Sequence, residues 1–170
     1  MRAWPRNFTL DEMQFSDVAV RYAIDNRADE RQSELLRCGA IVCLQPARDR
    51  FGRLRTTSGY RAPEVNRIVG GSTASDHMIA KRLCAYDIVP LEAPLIDVFE
   101  WMVDNRDALH WAKLIWEYGV WLHVSYHETG ATVQRRPRQA ISSIGRSGER
   151  HTTYPEIQSV ESFVRSVREA

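Results

Sequence analysis

Long apolar runs are absent from this sequence. No stretch approaches the roughly 20 consecutive apolar residues that a membrane-spanning helix needs. Residues 1–8 also lack an apolar core after their basic residues. The sequence therefore predicts neither membrane insertion nor a signal peptide. We expect synthesis in a cytoplasm, so that a substrate outside the cell would be reached only after release or delivery of the protein.

The chain also lacks an excess of either charge. Lys and Arg together number 23 and Asp and Glu 22, which gives a net charge of +1. A protein that binds a polyanion usually carries an excess of positive charge, which this sequence lacks. Nucleic acid is therefore not an expected partner. The three cysteines, Cys38, Cys43 and Cys84, are an odd number without the spacing of a disulfide framework. They are therefore expected to be free thiols.

What the chain does contain is the composition of a globular protein, with 44% hydrophobic and 26% charged residues. Nothing marks a boundary within 1–170, so we expect a single domain, with a core of about 1–140 and a loop plus a C-terminal helix over 141–170. Residue patterns predict helices near 9–21, 28–51, 63–69, 94–104 and 156–170. They predict strands near 53–57, 86–89, 114–116 and 120–126, and an exposed loop over 142–155.

Three side chains could hold a metal ion. His77 follows a Gly-Gly-Ser loop, Asp87 lies in a predicted strand, and His123 lies in another strand between aromatic neighbours. Two imidazoles and one carboxylate are a suitable ligand set for catalytic zinc, which leaves a fourth position for water. Glu117 precedes His123 and could be the carboxylate that moves a proton from water to a leaving amine.

Two short motifs give the chain a family resemblance. Ser-Gly-Tyr-Arg occupies 58–61 and Trp-Leu-His occupies 121–123, and Arg-Arg-Pro-Arg-Gln at 135–139 is close to a closing element of the same family. With these motifs the chain resembles the M15 metallopeptidases, in particular the small phage and bacterial branch related to D-Ala-D-Ala carboxypeptidases and endolysins. The resemblance implies an α+β fold like that of hedgehog proteins and DD-peptidases. In that fold a small antiparallel sheet carries the metal site and helices pack around it.

The resemblance also implies roles for individual residues. It implies Zn2+ as the cofactor, a general base, and an arginine that binds substrate and polarises the scissile carbonyl, with a serine as a helper at the site. Carried over to this sequence, the zinc ligands are His77, Asp87 and His123, the base is Glu117, the arginine is Arg61, and the serine is Ser75.

The spacing between two of these residues departs from the family pattern. Cys84 stands where the family's spacing puts the aspartate, and Asp87 comes three residues later. If 81–83 is an insertion, Asp87 is the ligand. Otherwise Cys84, which can bind zinc as a thiolate, takes its place, or the copy has lost the metal. We favour Asp87, because the insertion restores an Ala-x-Asp followed by an apolar strand.

The function expected from these motifs is a zinc-dependent peptidase that hydrolyses peptide bonds in peptidoglycan stem peptides, as a carboxypeptidase or an endopeptidase. The absence of a signal peptide fits a phage-type lysin or a virion-associated cell-wall hydrolase, which would act at the bacterial cell wall. Residues 141–170 would then be available to contact phage structural proteins. The alternative is a non-catalytic phage structural or binding protein that keeps the fold, which the insertion and the C-terminal extension favour.

Overall fold

A six-stranded sheet forms the centre of the protein in a computed structural model that describes residues 3–80, 82–129, 136–144 and 150–170. The strands are β1 (Leu54–Ser58), β2 (Leu83–Pro90), β3 (Trp111–Glu117), β4 (Trp121–His127), β5 (Arg138–Ile144) and β6 (Arg150–Thr153). The helices are α1 (Leu10–Gln14), α2 (Asp17–Arg21), α3 (Glu30–Gly39), α4 (Gln45–Phe51), α5 (Pro63–Ile68), α6 (Leu95–Asp104), α7 (Arg106–Leu109) and α8 (Val160–Glu169).

The strands lie in the order β1-β2-β4-β3-β5-β6. The predicted α+β fold, with helices packed around a small sheet that carries the candidate site, is confirmed. One feature differs from the expectation, because β5 runs parallel to β3 while the other neighbouring strands are antiparallel. Both edges of β4 are already paired, with β2 and with β3. β5 therefore adds to the free edge of β3, where its direction is the same.

The predicted helix over 9–21 is two short helices. Thr9 caps α1, as expected, by accepting a hydrogen bond from the backbone N–H of Glu12. The prediction of one continuous helix is wrong because Ser16 is extended, with a φ of −151°. The Ser16 hydroxyl accepts from the N–H of Ala19, so this residue begins a second helix instead of continuing the first.

The predicted helix over 28–51 is continuous through α3 and α4, which are joined by a π-helical turn, Ala40–Leu44. Gly39 ends α3 against β2, where an added Cβ would lie 2.6 Å from the Tyr86 hydroxyl. Pro46 has no N–H to donate one turn back. The change to π-type bonding, in which Gln45 donates to the Ala40 carbonyl, falls at this point. The helical segment thus remains continuous although it passes close to β2 at Gly39 and contains a proline at position 46.

The predicted loop over 142–155 is partly a β-hairpin. β5 and β6 pair antiparallel, with Ser142 opposite Thr152 and Ile141 opposite Thr153. The loop prediction is wrong for the paired residues from 142 onward, because Ser and Thr favour loops by composition but here their backbone groups are satisfied by strand pairing. After the hairpin, α8 packs on the sheet and α6, and the Phe163 ring lies 5.6 Å from that of Trp116.

In the described parts of the chain, every helix is too short or too polar to cross a lipid bilayer.

Candidate metal centre

The three predicted ligands come together on one face of the sheet. Asp87 on β2 lies directly opposite His123 on β4, so their side chains share that face. His77 approaches from a single 3-10 turn, Asp76–Met78. Asp87 Oδ1 is 3.3 Å from His77 Nε2 and 3.0 Å from His123 Nδ1. All three side chains are buried, and one ligand atom from each lies within 4.8 Å of the others.

His77 is held by the Ser-Gly-Tyr-Arg segment that follows β1. Its Nδ1 lies 2.7 Å from the carbonyl oxygen of Gly59, and the backbone N–H of Arg61 donates to the His77 carbonyl. The segment passes close under α1, where a Cβ on Gly59 would lie 2.2 Å from the Met13 carbonyl oxygen. Glycine at this position is therefore a packing requirement of the brace that holds His77.

The hydrogen bond to Gly59 also determines which ring nitrogen of His77 faces the centre. A carbonyl oxygen can only accept, so Nδ1 carries the proton, and in the neutral ring Nε2 is a bare lone pair. Burial lowers the pKa of His77, which favours this neutral form. Nε2 then faces the carboxylate oxygen of Asp87 at 3.3 Å. Two acceptors held face to face in the interior fit a cation that both can bind.

His123 lies between two carboxylates. Its Nδ1 is 3.0 Å from Asp87 Oδ1 and its Nε2 is 4.0 Å from Asp76 Oδ2. Burial alone would lower the pKa of His123, but the two carboxylates outweigh burial and raise it to about 9. Burial likewise acts to raise the pKa of Asp87, but the hydrogen bond and the charge of His123 help to hold that pKa far below its usual range. Without a metal ion, His123 is therefore a charged partner of Asp87.

Arg61 and Glu117 lie on opposite sides of this group. The Arg61 guanidinium donates through Nη2 to Asp87 Oδ2 at 2.8 Å and through Nε to the Ser58 hydroxyl at 2.8 Å. Glu117 ends β3 opposite Trp121, on the same face as His123. Burial raises the pKa of Glu117, against the opposing effect of His123. A carboxylate whose proton affinity is raised in this way is suited to general base and acid work.

Ser75, the remaining site residue suggested by the sequence, precedes the turn that carries His77. Its backbone carbonyl accepts a hydrogen bond from the N–H of Met78, so it helps to form that turn. Among the hydrogen bonds of the described residues, none joins its hydroxyl to the His77 group. A direct role for this hydroxyl in substrate binding stays a prediction.

Cys84 lies on the other face of β2. Its thiol is buried 3.5 Å from the Leu35 carbonyl oxygen and 3.3 Å from the Tyr86 hydroxyl. Burial raises the pKa of this thiol to about 12, so it is a neutral packing group. Because side chains alternate along a strand, Cys84 and Asp87 cannot face the same side. The structure thus brings Asp87, and not Cys84, to the two histidines.

The chain between the turn that carries His77 and β2 is the place of the predicted insertion, and the three candidate ligands on either side of it are together. Ile79 and Arg82 both have positive φ, at 57° and 60°, and Leu83 already belongs to β2. Lys81, the first residue of the predicted insertion, lies outside the described residues. The insertion over 81–83 stays a prediction, and its last residue already belongs to the strand that carries Asp87.

Sequence reasoning missed a second pair of charged residues beside the centre. Lys113 Nζ lies 2.7 Å from Asp76 Oδ2, the same oxygen that faces His123. Burial acts to raise the pKa of Asp76, but His123 and Lys113 lower it to about 2. The alternation along β3 could have placed Lys113 on the site face. The approach of Asp76 depends on the fold of a distant turn, which leaves no local signal.

A comparison with family models matches residues 6–125 to Peptidase M15. This range includes Arg61, His77, Asp87, Glu117 and His123, and it ends before β5, β6 and α8. Neither a comparison with curated proteins nor one with solved structures gave a match. The match covers well over half of the 170 residues and contains every side chain of the candidate centre. The chain belongs to the peptidase M15 family.

Proposed function

We propose that this M15 peptidase is a zinc-dependent hydrolase of peptide bonds in peptidoglycan stem peptides. The observation that carries the proposal is the buried group of His77, Asp87 and His123, in which the lone pair of a neutral imidazole faces a carboxylate oxygen. A hydrogen bond cannot satisfy two acceptors that face each other, whereas a shared cation can.

The donor set fits zinc. Two imidazole nitrogens and one carboxylate oxygen are ligand types that catalytic zinc sites use, with one further position left open. His77, Asp87 and His123 would hold the ion. When bound, zinc supplies Lewis-acid chemistry, which lowers the pKa of a water molecule and polarises a carbonyl group. The carbonyl of Gly59 orients the His77 ring and Asp76 faces the far nitrogen of His123, as outer groups do around metal-binding imidazoles.

Glu117 transfers the proton and Arg61 binds the substrate. Glu117 takes a proton from the attacking water and returns it to the leaving amine, and its raised pKa strengthens its hold on that proton between the two steps. Arg61 has guanidinium donors fixed beside Asp87, on the β1 side of the centre. From there it holds a carbonyl or carboxylate of the substrate and stabilises negative charge that develops during the attack.

Peptidoglycan is the proposed substrate because the Ser-Gly-Tyr-Arg and Trp-Leu-His motifs resemble those of M15 enzymes that act on cell-wall peptides. We place the action of the protein at the bacterial cell wall, after release or delivery as a phage-type lysin or a virion-associated hydrolase. Both carboxypeptidase and endopeptidase products are within this proposal. Product analysis of digested peptidoglycan distinguishes them by whether free alanine or larger peptides appear.

The deciding experiment measures zinc and peptidoglycan hydrolysis in the same preparations. Natively purified protein should contain one zinc ion, and Glu117→Gln should keep it while hydrolysis falls by about 10² to 10⁴, the usual contribution of a general base. His77→Ala should lose the metal. His127→Ala, which changes another histidine of β4, is the control and should retain both properties. Metal-free native protein without hydrolysis would refute the proposal and leave a non-catalytic binding protein. A Glu117→Gln protein of normal activity would refute the role of Glu117 as the general base.

A further inference from the structure

The strands beyond the family match extend the site face past Glu117. In the parallel pair of β3 and β5, Glu117 lies opposite Ala140. In the antiparallel pairing that follows, Ile141 lies opposite Thr153 and Arg138 lies opposite Glu156. Both of these pairs have the same register, so the residue opposite Ala140 is Tyr154. Positions 117, 140 and 154 therefore stand side by side across three neighbouring segments.

Residues that lie opposite each other on adjacent strands direct their side chains to the same face. Tyr154 is thus on the face that carries Glu117 and His123. The residue between Tyr154 and Glu117 is Ala140, which is buried and contributes only a methyl group. Partial burial raises the pKa of Tyr154, and the nearby charges of Glu117 and Asp87 raise it further. This agrees with a phenol that stands close to the reactive carboxylates.

Two more aromatic rings stand beside Tyr154. Tyr118, in the turn after β3, packs edge to face on Trp121 with ring centroids 5.7 Å apart. Its hydroxyl lies 3.0 Å from the Thr152 hydroxyl, which ties this turn to β6. Tyr118 has a φ of 57°, an unfavourable conformation for a residue with a side chain. Tyr118 and Tyr154 each remain 43% exposed, so large aromatic surfaces face solvent next to the centre.

The indole of Trp121 stands beside the proposed base. Its nitrogen is buried, and Trp121 lies opposite Glu117 in the β3–β4 pair. A side-chain hydrogen bond from this indole to Glu117 acts to lower the pKa of the carboxylate, against the larger effect of burial. The Trp121 ring therefore joins the reactive carboxylate to the aromatic rings of Tyr118 and Tyr154.

We propose that Tyr118, Trp121 and Tyr154, here called the aromatic wall, bind the peptide segment on the leaving-group side of the scissile bond. The proposal rests on the proposed function. In the order of the sheet, Arg61 lies on the β1 side of Asp87, Asp87 and His123 lie on β2 and β4, and Glu117 on β3 lies between them and Tyr154. Trp121, at the start of β4, lies opposite Glu117. A peptide bound across the strands meets Arg61 at one end and the wall at the other. Glu117 returns the proton to the leaving amine, so the wall contacts the leaving half.

Kinetics of Tyr154 variants test this role. With soluble stem peptides as substrate, Tyr154→Ala should raise KM about tenfold while kcat changes little, since a lost ring contact weakens binding of substrate and transition state alike. Zinc content and thermal stability should be unchanged, and Tyr154→Phe should retain most of the affinity. Tyr22→Ala, at an exposed tyrosine that follows α2, is the matched control. A fall in kcat accompanied by zinc loss, or an unchanged KM, would overturn the role of Tyr154.

A binding measurement separates this inference from the proposed reaction. Calorimetric titration of a stem peptide into Glu117→Gln, and into Glu117→Gln combined with Tyr154→Ala, needs no turnover. About tenfold weaker binding by the double variant supports the aromatic wall even if wild-type protein hydrolyses nothing, an outcome that would refute only the proposed reaction. Equal binding by the two variants overturns the wall, whatever the rates show.

Discussion

Removal of the metal should make the stability of the protein fall steeply with pH on the alkaline side of neutrality. In the metal-free arrangement His123 lies between the carboxylates of Asp76 and Asp87. These raise its pKa from 6.5 to about 9, against the effect of burial. Because the folded-state pKa lies above the unfolded value, the contribution to stability is fully present below pH 6.5. It is lost as the pH rises through 9.

The size of this effect follows from the shift. A rise from 6.5 to about 9 corresponds to about 3 kcal/mol at about 1.4 kcal/mol per pKa unit. Linkage predicts that about 2 kcal/mol of this is lost between about pH 6.5 and pH 8.5. The pKa of His77 is lowered by burial, so its protonation weakens the fold only below pH 6.5. Burial raises the pKa values of the Cys43 and Cys84 thiols. These thiols therefore lower the stability of the fold mainly at pH values above this window, where they ionise in the unfolded chain.

Urea unfolding of chelator-treated protein at several pH values between 6.5 and 8.5 measures this loss. His123→Gln is the matched variant and should flatten the pH dependence, because it removes the titrating group. The stability of zinc-loaded protein should instead rise with pH over this window. The metal must displace the His123 proton, so it binds more tightly as the pH rises. A metal-free wild-type protein with the same stability at both ends of the window would refute the ion-pair arrangement of His123.

Two further changes test the groups around the ligands. Asp76→Asn should weaken zinc affinity by about 10- to 100-fold in a chelator competition, because it removes the carboxylate that faces His123 Nε2; unchanged affinity would show that this carboxylate does not support the ligand. Gly59→Ala should lower the melting temperature and release zinc, since its Cβ would meet the Met13 carbonyl at 2.2 Å and displace the brace of His77. Gly70→Ala, which meets no atom within 4 Å but has a φ of 71°, is its control and should cost only about 1 kcal/mol with zinc retained.

The alternation of side chains along β2 chooses between the two ligand candidates, but only because the strand begins at Leu83 and not near 86 as predicted. Once 83–90 is a strand, side chains three residues apart point to opposite faces. Asp87 is opposite His123, so a thiol at position 84 belongs to the other face, where Cys84 packs against α3. The residues that approach from outside the strands were not predictable in this way. Asp76 reaches His123 only through the placement of a separate turn.

The C-terminal hairpin is a segment whose composition is a poor guide to its structure. Its Ser and Thr residues favoured a loop, yet they pair along the edge that β3 left open. Local composition cannot show that edge, because its existence depends on the order β2-β4-β3, which is set by long-range pairing. The same pairing brings Tyr154 into line with Glu117. Tyr154, which the structure places near the site, therefore lies in a segment that the sequence predicts to be an exposed loop.

The geometry also shows how the centre would accommodate the longer connection that the sequence predicts between two of its ligands. Asp87 and His123 are fixed by the register of β2 and β4 and need nothing from the preceding chain. His77 is held through the carbonyl of Gly59 and the backbone N–H of Arg61, both of which precede it in the sequence. Its position relative to Asp87 is thus set by the Ser-Gly-Tyr-Arg segment at the end of β1 and not by the residues that join it to β2. Because loop length adds little to the free energy of closure, the insertion predicted at 81–83 would lengthen the connection without moving the ligands that it joins.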